Sequence, residues 1–160
     1  GQQFVMGRTI TEAIDRARDS EKIGYRYSYD MLGEGARTAE DAERYFKNYQ
    51  DAIDAIGKAA AGRGVHNAPG ISVKLSALHP RYEYANQAAC ISPLVEKLRA
   101  LAIKCAQYDI GLTVDAEEAH RLEISMKIIE TVFTEPALGQ WEGFGLAIQS
   151  YQKRCGALID

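Results

Sequence analysis

Four short, strand-like apolar runs in this chain carry polar residues at comparable positions within or just after them, Asp30, Lys74, Asp115 and Gln149, at intervals of 44, 41 and 34 residues. Each interval is about the length of one strand, one helix and their loops, and each run is followed by residues with apolar positions at helical spacing. Parallel neighbours in a sheet need a long crossover connection, so strands alternating with helices specify an α/β fold with a parallel sheet. The four polar residues then emerge on the carboxyl-end face of that sheet, where both open and barrel α/β folds bind ligands.

The units are delimited by their own signals. A capping box, Thr9-Ile-Thr-Glu12, opens a short first helix with Ile10, Ala13, Ile14 and Ala17 on one face. The first strand spans Tyr25 to Leu32, alternating and rich in aromatics. Thr38 caps the next helix, whose stripe is Ala42, Tyr45, Phe46, Tyr49, Ala52, Ile53 and Ile56, and Gly57, Gly62 and Gly64 mark its exit. The second strand runs from Ile71 to Leu78; Ser92 then reads as an N-cap with Pro93 at the first helical position, ahead of Leu94, Val95, Leu98, Leu101, Ala102 and Cys105. Ile110 to Val114 is the third strand, followed by a helix carrying Leu122, Ile124, Ile128, Ile129, Val132 and Phe133 until Pro136 stops it. Phe144 to Ile148 is the fourth.

A doubly wound sheet usually places a glycine-rich phosphate loop after its first strand, and Gly33-x-Gly35 lacks the third glycine of that pattern. The better architecture is a barrel. Four units make half of one, so the expected fold is the first half of a (β/α)8 TIM-like barrel of about four parallel βα units, preceded by a short helix. An open four-stranded parallel sheet leaves two edges and one apolar face uncovered. Residues 1–160 are therefore expected to be a fragment of a longer chain, or one part of a barrel completed by another chain.

Composition excludes several function classes. The net charge is −3 with acids and bases interspersed, which gives no footprint for nucleic acid. No apolar run approaches the roughly 20 residues that span a bilayer, and Gly1-Gln-Gln-Phe-Val5 lacks a signal-peptide layout, so a soluble, cytoplasmic protein is expected. Cys90, Cys105 and Cys155 are odd in number and widely spaced, with no Cys-x-x-Cys; they read as packing residues rather than a disulfide framework or a metal site.

The chemistry concentrates in Gly70-Ile-Ser-Val-Lys-Leu-Ser-Ala-Leu-His-Pro-Arg-Tyr82. A lysine between Val73 and Leu75 is functional, paired or costly. In a dry site its compact charge suits an anionic ligand, which restores the lost solvation. Arg26-Tyr-Ser-Tyr-Asp-Met-Leu-Gly-Glu34, Ser72 to Tyr82, Asp115-Ala-Glu-Glu118 with Arg121-Leu-Glu123, and Gln149-Ser-Tyr-Gln-Lys-Arg154 resemble, in order and along essentially the whole chain, the proline dehydrogenase domain of the bifunctional bacterial proline-utilization (PutA) family.

The resemblance implies FAD-dependent oxidation of L-proline to 1-pyrroline-5-carboxylate on a distorted barrel, with electrons passed to a quinone and the parent protein peripheral at the inner membrane. By matching position, Lys74 pairs with the proline carboxylate and Asp115 lies beside flavin and substrate. Ala116 and Ala147 line the flavin, Gln149 hydrogen-bonds the isoalloxazine, and Asp30 balances the charge of Lys74. The family's flavin-contacting arginine on the fifth strand, its residues for the FAD phosphates and adenine, and the paired arginines of its last helix have no counterpart here. Residues 1–160 hold half a site and are expected not to oxidise proline alone.

Each candidate has a plainer counterpart. Asp30 and Lys74 also fit a structural ion pair, and Asp115 also fits a helix cap, since Ala-Glu-Glu follows it. His79 and Arg81 read as loop-stabilising residues, His66 and His120 as surface residues, and Tyr45, Phe46 and Tyr49 as core. Two other function classes stay open: a Schiff-base lyase using Lys74, and a non-catalytic half-barrel that serves as an association module.

Overall fold

A computed structural model describes residues 2–4, 10–15, 28–31, 36–65, 68–80, 87–115, 122–139 and 141–147. In chain order these form β1 (Gln2–Phe4), α1 (10–15), β2 (Ser28–Met31), α2 (Ala39–Ala60), β3 (Gly70–Val73), a 3-10 turn (Leu75–Ala77), α3 (Gln87–Tyr108), β4 (Leu112–Asp115), α4 (Leu122–Phe133), a second 3-10 turn (Pro136–Leu138) and β5 (Phe144–Ala147). All four strand pairings are parallel, and the sheet order β1-β2-β3-β4-β5 follows the chain without reversal. The described strands therefore contain no point at which a doubly wound sheet would switch direction.

The α2 helix shows how local chemistry sets the boundaries. Thr38, in extended conformation, accepts the Asp41 N–H at 3.0 Å, and Asp41 in turn accepts the Arg37 N–H at 3.1 Å. At the other end Ala61 closes the helix in the left-handed region, φ 49° and ψ 39°. The Arg63 guanidinium donates to the Ala60 and Ala59 carbonyls at 3.0 and 3.2 Å, satisfying two groups left over by the last turn.

Between these caps Ala42, Tyr49, Ala52, Ile53, Ile56 and Ala60 are buried against the sheet. Leu94, Leu98, Leu101, Ala102 and Cys105 do the same on α3, and Ile128, Ile129 and Val132 on α4. Burial of each large aliphatic side chain is worth about 1.5–3 kcal/mol, so the helical layer is held mainly by apolar contact. The α2 and α3 helices approach closely at Gly57, where a side chain would collide with the Tyr108 ring. Beside that contact, Asp54 accepts from Lys104 at 2.7 Å and from the Tyr108 hydroxyl at 2.9 Å.

The two sheet faces differ. Ile71 and Val73 of β3 and Leu112 and Val114 of β4 are fully buried, while Thr113 and Asp115, alternating with them, are half-buried. Parallel register brings Asp30, Ser72, Thr113 and Gly145 into one backbone row and Asp115 and Ala147 into the next. Of these, Ser72, Thr113 and Asp115 alternate with the buried Ile71, Val73, Leu112 and Val114 and put polar side chains on the face away from α2 and α3.

Several expectations need correction. Among the described residues the sheet has five strands: Gln2–Phe4 pairs with Tyr29 to Met31, but three residues, two of them glutamine, are too few and too polar to show an alternating pattern. The second strand stops at Val73, because Leu75–Ala77 turns into a 3-10 helix; apolar character persists to Leu78 since that turn is also buried. The α3 helix begins at Gln87, with Pro93 inside it rather than at its first position, and Ser92 is not its cap. Gln-Ala-Ala-Cys supports helix well, and the fixed φ of proline is itself helical. Gly57 lies within α2 and does not mark its exit. Phe133, expected in the α4 core stripe, is 64% exposed and meets Phe144 edge-on, ring centroids 6.2 Å apart. Its position in the last turn carries it past the edge of the core.

Other expectations are met where the residues are described; Thr9 and Ala17 of the first helix lie outside the described residues. Ile10, Ala13 and Ile14 form the buried face of the first helix, Thr38 is a true N-cap, and Cys105 is buried. No described helix is long and apolar enough to cross a membrane.

Candidate functional site

Lys74 is the first residue beyond β3, still extended at φ −114° and ψ 127°, and the 3-10 turn starts at the next residue. Val73 and Leu75 on either side are buried at 0% and 1% exposure, which anchors the backbone from both directions. The lysine side chain lies on the opposite, polar face of the sheet. Asp115 ends β4, one step beyond the Val73–Val114 pair, and so stands beside Lys74. The Lys74 Nζ to Asp115 Oδ2 distance is 4.0 Å, with side chains 15% and 26% exposed. At that separation the charges attract without a direct hydrogen bond to each other.

The loop that follows Lys74 is fixed from three sides. Its own turn is closed by Ala77 N–H to the Lys74 carbonyl at 3.1 Å and Leu78 N–H to the Leu75 carbonyl at 3.0 Å. Ala36, from the segment ahead of α2, donates its N–H to the Ser76 carbonyl at 2.9 Å. Lys97 of α3 donates to the Leu78 carbonyl at 2.9 Å, pairs with Glu43 at 3.0 Å and lies over the Phe46 ring at 5.8 Å. The Lys74 backbone N–H donates to the Tyr49 hydroxyl at 3.1 Å.

The structure thus brings Lys74 and Asp115 together at neighbouring strand ends. Ala147 ends β5 in register with Asp115, which puts its backbone in the same row. Asp30 lies on β2 in register with Ser72, one alternation below Lys74; its backbone alone is described. Ala116, Gln149, Arg81, His66, His120 and Cys155 lie outside the described residues. By helical spacing alone Tyr49 is a core position. The signal for more was its being tyrosine rather than phenylalanine on an inward stripe, since a buried tyrosine hydroxyl usually finds a partner. Cys105 is packing: burial pushes its thiol well above the ordinary range, where it is neither nucleophile nor ligand.

The family model for proline dehydrogenase matches residues 13–160. The chain is 54% identical, along its whole length, to the bifunctional protein PutA of Escherichia coli, of which it covers 12%. It is 26% identical over 153 residues to proline dehydrogenase 1 of Bacillus subtilis, covering 45% of that protein. Among solved structures, a mutant of proline utilization A (PutA) from Bradyrhizobium japonicum superposes with a TM-score of 0.84 at 54% identity, over 98% of this chain and 16% of that one. The chain spans about an eighth of the length of the PutA proteins it matches. It belongs to the proline dehydrogenase family.

Proposed function

We propose that residues 1–160 form the first half of a proline dehydrogenase barrel and supply part of the site at which the intact gene product oxidises L-proline to 1-pyrroline-5-carboxylate. The observation that carries this reading is the Lys74–Asp115 pair at two adjacent carboxyl-end positions of a parallel sheet, in a chain of this family. Support for the barrel comes from the unreversed strand order and the polar inner face.

In this reading Lys74 binds the substrate carboxylate. A lysine ammonium held at a strand end between buried neighbours is a fixed point charge, and partial burial strengthens its attraction for an anion. Asp115 faces the substrate ring nitrogen, where a carboxylate favours the cationic amine and fixes its orientation. Asp30, one row below, keeps the local charge balanced. The Lys74–Asp115 separation matches a zwitterion, whose two charges are offered opposite partners.

The residues present fit a flavin. Beyond Asp115 the register continues to Ala147, and beyond Thr113 to Gly145, so the β5 side of the row carries small residue types beside a carboxylate. Asp115, Ala116, Ala147 and Gln149 are the positions that would hold FAD. When bound, FAD supplies the two-electron acceptor for the oxidation. The electrons pass onward to a quinone, which places the intact protein in the cytoplasm with peripheral contact at a membrane surface. Residues 1–160 expressed alone lack the remainder of the barrel and do not turn over proline.

The test is anaerobic addition of L-proline to the purified intact gene product. Bleaching of a flavin spectrum, with 1-pyrroline-5-carboxylate as product, supports the proposal. A protein that takes up FAD but is neither bleached nor turned over by L-proline would contradict it.

A further inference from the structure

Tyr49 lies in the middle of α2, only 2% exposed, and its hydroxyl accepts the backbone N–H of Lys74 at 3.1 Å. The contact reaches from the helical layer to the residue at which β3 ends. Beyond Val73 the strand pairing with β4 gives way to the 3-10 turn, so the Lys74 peptide is at the junction of two backbone conformations. We propose that Tyr49 is a positioning residue for substrate binding: by holding the Lys74 amide it fixes the direction in which the lysine side chain leaves the sheet. The inference rests on the reading of Lys74 as the carboxylate-binding cation.

The physical argument starts from the flexibility of lysine. With four rotatable side-chain bonds, the place of its ammonium depends first on the Cα–Cβ direction, which the backbone angles at that residue set. A peptide unit at a strand-to-turn junction rotates more easily than one inside a ladder. The Tyr49 hydroxyl opposes that rotation and is itself immobile, because its ring is packed in the core with Ile53 and Ile56. Of the other loop anchors, Ala77 holds the Lys74 carbonyl from the turn side, while Ala36 and Lys97 act further along, at Ser76 and Leu78. Tyr49 holds the Lys74 N–H, on the strand side. Misplacement of a binding charge by a fraction of an ångström weakens substrate binding without altering the reacting atoms.

Phenylalanine keeps the ring packing and removes the hydroxyl, so Tyr49→Phe takes away the acceptor of the Lys74 N–H, and the K74M background tells whether the effect runs through Lys74. In the intact gene product, Y49F, K74M and the double variant are compared by KM and kcat for L-proline, with circular dichroism and Tm as controls. The expected result is a KM raised about 3- to 10-fold in Y49F with kcat within about two-fold, and no added KM effect of Y49F in the K74M background. Tyr49→Met, which also lacks the hydroxyl, gives the same KM shift should Y49F not accumulate as folded protein. A lowered Tm with unchanged KM, or an equal KM shift in both backgrounds, would show that Tyr49 only packs. If K74M itself left KM unchanged, the carboxylate-binding reading of Lys74 would fail, and the role of Tyr49 with it.

Discussion

Lys74 Nζ stands 4.0 Å from Asp115 Oδ2, the two residues leaving neighbouring parallel strands side by side. Each remains partly open to solvent, at 15% and 26% exposure. At that distance the two groups make no direct hydrogen bond to each other, and both charges stay within reach of a ligand at the strand ends.

Replacing Lys74 should therefore separate stability from activity. Lys74→Met is expected to remain folded, because its apolar stem is kept and the 4.0 Å pair with Asp115 is looser than a directly hydrogen-bonded one. Removal of a charged hydrogen-bond donor to a carboxylate costs about 1.5–3 kcal/mol of binding, so kcat/KM for L-proline should fall about 10- to 100-fold or more. Denaturant titration and initial rates on the same preparation check both parts.

Much of this could be read before any coordinates. Thr38 as a cap, the Ala52-Ile53-Ile56 stripe and the strand-helix alternation follow from hydrogen-bonding capacity and periodicity, which act locally. The placement of Lys74 and Asp115 on one sheet face follows from parallel register, which the spacing of their strands encodes. What escaped depends on partners distant in sequence. β1 exists because β2 offers it a ladder, and Pro93 is tolerated because the helix is held along its length by Leu94, Leu98 and Leu101. Likewise the 3-10 turn at Leu75–Ala77 is as apolar as a strand and differs only in its backbone hydrogen bonds.

The end of α2 offers a stabilising substitution. Ala61 sits at φ 49°, a conformation that costs an L-residue with a Cβ about 1 kcal/mol and glycine almost nothing. Ala61→Gly should raise stability by roughly 0.5–1 kcal/mol, or about 1–4 °C in Tm, with unaltered activity per folded molecule. Thermal unfolding followed by circular dichroism measures it; a lower Tm would mean that the C-cap is not held as described.

Asp54 ties α2 to α3 and should be visible in acid. Burial alone would raise its carboxyl, but the hydrogen bonds from Lys104 and Tyr108 outweigh it and hold the group below its ordinary value of 3.8. A depressed folded value means that the ionised form favours folding. That contribution is complete above 3.8 and is lost as pH falls through the lower, folded value. Asp54→Asn should be less stable than wild type at neutral pH, and the gap should close on acidification below 3.8. Urea midpoints across that range check it, and a gap independent of pH would rule out the linkage.

The most direct test of the central claim is the identity of the ligand at Lys74. The intact gene product and its K74M variant are assayed for L-proline-dependent dye reduction, and the wild type is also treated with borohydride in the presence of carbonyl compounds. The account predicts proline-dependent reduction that K74M loses through a raised KM, and no covalent adduct, since an ammonium beside Asp115 binds anions rather than attacking carbonyls. Wild-type turnover unaffected by K74M, or a borohydride-trapped adduct at Lys74, would contradict it.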